Sequence, residues 1–82
     1  MSNYLQLREQ LDRLKHKKLT LTLAADAAVK AAKETLAIAS ITPLHEIDLK
    51  TAASHLQNAI IAQDELAEVM ADMRKIEREL GL

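Results

Sequence analysis

The chain has 82 residues, and its 49% hydrophobic content is drawn mainly from 14 Ala and 14 Leu, with one Tyr, one Gly, one Pro and no Phe, Trp or Cys. This excludes a β-sandwich or barrel, which needs many turns and many β-branched or aromatic residues. It also excludes a disulfide scaffold and a disordered tail, which would carry fewer aliphatic residues and more net charge. With a net charge of -1, no global field gathers nucleic acid or an anionic membrane.

The first predicted element is a helix from about Asn3 to Ala39. Steps of three and four give Tyr4, Leu7, Leu11, Leu14, Lys18, Leu21, Ala25, Ala28, Ala32, Thr35 and Ala39. That is a heptad seam held over five heptads. Val29, Leu36 and Ile38 flank it, and Asp26, Lys30 and Lys33 mark the opposite side. Those charges, with Glu34, also interrupt the most apolar stretch, so no run is long enough for a membrane span.

The only Pro, Pro43, marks a turn near residues 40–47. Two starts are open for the second helix. Thr42-Pro43 offers a hydroxyl cap followed by a residue suited to the first helical position, and Asp48 is the other possible cap. The helix then runs to Leu80, where Gly81 stops it, with Arg74, Lys75 and Arg78 near the C-terminal end of the dipole. This second helix carries two seams. One reads Ala52, His55, Ala59, Ala62, Leu66, Val69, Met73, Ile76 and Leu80. The other reads Leu49, Ala53, Leu56, Ile60, Gln63, Ala67 and Met70.

The fold expected is therefore all-α: an antiparallel two-helix hairpin forming a single domain over residues 1–82. Folded back about Pro43, residue i lies near residue ~86 − i, so Ala-rich parts meet near the turn and Leu-rich parts at the open end. Residues 1–41 carry seven basic and four acidic residues, and residues 42–82 carry four basic and eight acidic. The hairpin sets one strip against the other. The pairs expected are Glu9 with Arg78, Asp12 with Arg74 or Lys75, Lys15 with Asp72, and Lys18 with Glu68.

A two-helix hairpin encloses no core, and chains this small seldom bury enough surface without a staple. Cysteine is absent, and so is any metal-ligand spacing. The double seam of the second helix is also wider than one partner helix covers. The expectation is a homodimer or higher homo-oligomer, two hairpins making a four-helix bundle. The self-association residues expected are Leu49, Leu56, Ile60, Leu66, Val69, Met70, Met73 and Ile76. A foreign partner helix completing the bundle is the variant of this reading.

The densest local charge is Arg13-Leu14-Lys15-His16-Lys17-Lys18. Arg13, Lys15, Lys17 and Lys18 form a candidate basic patch for nucleic acid, with Arg13 and Lys17 the best outward-facing pair. The plainer reading, a solvated helix face, is favoured, because no aromatic residue is available to stack bases. His16, His45 and His55 lack the i, i+3 or i, i+4 spacing of metal ligands. His45 with Glu46 and Asp48 reads as a polar turn, and half-buried His55 would make an interface pH-sensitive. Ile61 is the one large apolar residue among polar neighbours. No nucleophile triad or glycine-rich phosphate loop is present. The sequence thus predicts a non-enzymatic, cytoplasmic interaction module without cofactor or membrane association: an adaptor, small chaperone or structural or regulatory subunit. The alternative is a small nucleic-acid-binding regulator using residues 13–18.

Overall fold

A computed structural model describes residues 2–39 and 41–82. Two helices, α1 (Ser2–Ala39) and α2 (Leu49–Leu80), pack antiparallel, joined through a short 3-10 helix at Leu44–Glu46. Two segments of α1 need explanation. Leu19-Thr20-Leu21-Thr22-Leu23 alternates apolar and polar residues like a strand. It is helical with Leu21 in the seam, and the Thr20 and Thr22 hydroxyls donate to the carbonyls of His16 and Lys18, at 3.1 and 2.8 Å. Such back-bonding satisfies the hydroxyl without leaving the helix.

The end of α1 follows from Pro43. A residue before proline is pushed out of the helical region, so Thr42 cannot extend the helix. Its hydroxyl instead donates to the Ile38 carbonyl at 2.7 Å, closing the last turn. Pro43 therefore ends one element rather than opening the next. Its carbonyl accepts from the Glu46 N–H at 2.9 Å, which starts the 3-10 turn. Asp48 is the N-cap of α2, accepting from the Thr51 N–H at 3.0 Å and from the Thr51 hydroxyl. Of the two starts, Asp48 prevails because its carboxylate captures an otherwise free helical N–H.

At the far end Gly81 adopts φ 77, ψ 23. Its N–H donates to Arg78 O at 3.1 Å, and the Leu82 N–H donates to Glu77 O at 2.8 Å. This pair of bonds is a Schellman motif, and it requires the left-handed conformation that glycine adopts without strain.

The first seam of each helix forms the contact between them. With Leu11 and Ala52 taken as heptad a positions, the a and d residues from Leu7 to Ala39 and from Ala52 to Leu80 are all buried or half-buried. Tyr4 is the exception, 55% exposed beyond the end of the contact. Fully buried are Leu11, Ala32, Ala52, Ala62, Val69 and Met73. Leu11, Val69 and Met73 cluster with Leu14, Leu21, Ile76 and Leu80 at the open end. The small residues Ala32 and Ala52 lie toward the turn.

The result is a rod of 64 × 15 × 14 Å with a radius of gyration of 18.5 Å. A compact domain of this length would have a radius of about 12 Å. The rod exposes 6350 Å², whereas a compact monomer of this mass exposes roughly 4,900 Å².

Candidate functional site

A helix turns about 100° per residue, so positions beside the a/d seam fall on two separate flanks. In an antiparallel pair the e positions of both helices share one flank and the g positions share the other. The two flanks of this hairpin differ sharply in chemistry.

The e positions of the e/b flank are mainly apolar from the turn past the middle of the rod, with Asp26 and Lys33 at b positions on the outer edge of α1. The flank carries Val29 and Leu36 from α1 and Leu49, Leu56, Ile60 and Met70 from α2. These side chains are 36–52% exposed. Thr22, Asp26, Val29, Leu56, Ile60 and Gln63 are among the side chains lining one open groove of about 390 Å³ running along both helices. Leu5 and Leu19, at b positions, extend the flank outward. Toward the open end it turns charged, with Arg8, Asp12 and Lys15 on α1 and Arg74 and Glu77 on α2.

The g/c flank is polar on α2, whereas on α1 it carries Ala24, Ala27, Ala31 and exposed Ile38 among polar residues. On α2 it carries Thr51, Ser54, Asn58, Glu65, Glu68, Asp72, Lys75 and Glu79, interrupted only by Ile61. At the open end Arg13, Asp72, Lys75 and Glu79 surround a shallow recess in which two cations face two anions.

The eight expected self-association residues divide between inside and outside. Val69 and Met73 are 3% and 8% exposed, and Leu66 and Ile76 are half-buried, all in the seam against α1. Leu49, Leu56, Ile60 and Met70 stand free on the e/b flank. Val29 and Leu36 join them across the groove. Their signal in the sequence was a flanking position beside the α1 seam, matched to the second seam of α2.

The basic run Arg13, Lys15, Lys17 and Lys18 is spread around the helix. Arg13 and Lys17 point to the g/c flank, Lys15 to the opposite flank, and Lys18 is half-buried in the seam. Arg13 is further engaged by Glu9 on its own helix, 3.7 Å away.

The expected cross-helix ion pairs are also corrected. Among the described residues, the only oppositely charged side chains within 4.0 Å are Arg13 with Glu9 and His45 with Glu46. Lys15 and Asp72 share a height on the rod but lie on opposite flanks, and Glu9 and Arg78 both point outward at f positions. Exposed pairs of this kind gain too little to hold two long side chains in one geometry.

At the turn, His45 Nε2 lies 3.8 Å from Glu46, while Asp48 is engaged by Thr51. Those two hydrogen bonds, the side-chain one first, hold the Asp48 carboxyl below its ordinary range. Among the described residues no three His, Asp or Glu side chains gather in a metal-binding group. No described helix is long and apolar enough to cross a membrane. His55 is half-buried in the seam between Ala52 and Ala59. Comparison with family models, curated proteins and solved structures finds no match to this chain.

Proposed function

We propose that this chain is a non-enzymatic interaction module that self-associates through its e/b flank into a four-helix bundle. In that form it serves as an adaptor, small chaperone or structural subunit. The observation that carries the reading is the two-sidedness of the hairpin. On α2 one flank is polar apart from Ile61, while the other sets Leu49, Leu56, Ile60 and Met70 beside Val29 and Leu36 of α1 and holds an open groove lined mainly by apolar side chains. A monomer has no use for such an arrangement, because burying one Leu contributes about 1.5–3 kcal/mol. The area agrees. The rod exposes roughly 1,400 Å² more than a compact monomer of equal mass, and a standard interface covers about 800 Å² per partner.

Adjacent isoleucines provide a matched test. Ile60 and Ile61 are both 48% exposed, but Ile60 lies in the apolar groove and Ile61 on the polar flank. Light scattering on a size-exclusion column is expected to give the wild type twice the 9.1 kDa of one chain. Ile60→Glu is expected to shift the protein toward half that mass at low micromolar concentration, while Ile61→Glu leaves it unchanged. Equal effects of the two substitutions, or a monomeric wild type, contradict the reading.

A further inference from the structure

We infer that the second copy of this chain docks with its turn at the same end as the first, so that α1 of each copy runs along α2 of the other. The inference rests on the self-association reading and adds the alignment.

It follows from how the e/b flank is graded along the rod. Near the turn, Leu36 on α1 stands level with Leu49 on α2, and the next layer sets Val29 beside Leu56. The middle layer is polar and uncharged, Thr22 with Gln63. Next comes Lys15 beside Met70, and beyond it the layers carry opposite charges on the two helices. Arg8 is level with Glu77, and Asp12 with Arg74.

A two-fold axis parallel to the rod places α1 over the partner's α2 at equal height. The Leu36 and Val29 layers then meet leucines, Thr22 meets a Gln63 amide able to hydrogen-bond it, and Asp26 lies beside Ile60 at the outer edge. At the open end Arg8 lies over a glutamate and Asp12 over an arginine, and only Lys15 lies over an apolar side chain, Met70.

A two-fold axis across the rod places α1 over α1 with the ends exchanged. At full overlap Arg8 then lands near Leu36, Lys15 near Val29, and Glu77 near Leu49. Three charges lose water against aliphatic side chains that offer no hydrogen bond, which is strongly unfavourable. Sliding the copies apart until only the apolar halves overlap removes that conflict but abandons about half of the contact. The graded flank therefore favours one alignment, in the way that charge placement selects pairing in coiled coils.

The test uses the full chain, whose lack of Cys permits single labels. One spin label is placed at the turn through His45→Cys and, in a second protein, one at the open end through Gln6→Cys; both positions are exposed. Distances between copies are read by pulsed electron paramagnetic resonance, with mass measured on the same samples. Same-end docking predicts short distances from both labels, about 30 Å or less, set by two rods each 14–15 Å thick. Full overlap with ends exchanged predicts distances approaching the 64 Å rod length from both labels. Staggered overlap lengthens the open-end distance further. A dimeric mass with either long pattern overturns the alignment and leaves the self-association reading standing. A monomeric mass overturns both, and weak, non-cooperative melting beside it would point to a foreign helix as the occupant of the groove.

Discussion

Asp48 joins sequence to stability through one carboxylate. It receives the Thr51 hydroxyl and N–H, which holds its carboxyl below the ordinary carboxylate range. The sign follows directly. A carboxyl whose folded pKa lies below its unfolded one contributes stability above the unfolded value, and that contribution fades as pH falls through the folded value. Asp48→Asn keeps a capping side chain but removes the titration. Thermal melting followed from pH 6 down to pH 2 is expected to show the wild type losing its advantage over Asp48→Asn below about pH 4. A gap between the two proteins that stays constant across that range contradicts the capping account. Residue-level reading of the sequence left two possible caps, and Pro43 misleads because proline both opens and closes helices. What decides between them is the three-dimensional reach of the Thr42 hydroxyl back to Ile38 and of Asp48 forward to Thr51.

The helices themselves were legible because a heptad seam is a one-dimensional pattern with one three-dimensional consequence. Leu7 to Ala39 and Ala52 to Leu80 read as stripes, and the same stripes are buried. Charge was harder to read. Arg13, Lys15, Lys17 and Lys18 are contiguous in sequence, yet each step rotates about 100° around the axis, so the run disperses over both flanks and the seam. The cross-helix ion pairs failed for a related reason. Matching heights along the rod says nothing about flank, and Lys15 and Asp72 share only the height. The Ala-rich half of the seam gives an element-scale prediction. Ala32 is 2% exposed and Ala52 3%, so nothing larger fits between the helices near the turn. Ala32→Leu is expected to destabilise the protein by about 1–3 kcal/mol through overpacking, measured by denaturant unfolding. Ala27→Leu, on the exposed side of the same helix, is expected to be close to neutral. Equal tolerance of both would mean that the helices do not approach closely at the turn.

For the molecule as a whole, shape is the governing fact. A rod 64 Å long and 15 × 14 Å in section has a seam but no interior. Its six fully buried residues include three alanines, which bring the backbones together but bury little apolar area. The other large aliphatic side chains are half-buried in the seam or exposed, and Leu49, Leu56, Ile60, Val29 and Leu36 of the exposed set share the e/b flank. Of the double seam of α2, one stripe is buried against α1 and Leu49, Leu56, Ile60 and Met70 of the other stay exposed. Which seam faced inward was settled only by the companion seam on α1 and by the turn connecting them. The central claim is that covering the apolar flank with a second copy is part of what holds each hairpin folded. Folding coupled to association makes the melting temperature depend on concentration by mass action. The decisive measurement is thermal unfolding by circular dichroism over a hundredfold range of protein concentration. The account predicts one cooperative transition whose midpoint climbs steadily with concentration. A cooperative transition whose midpoint stays fixed across that range would contradict it.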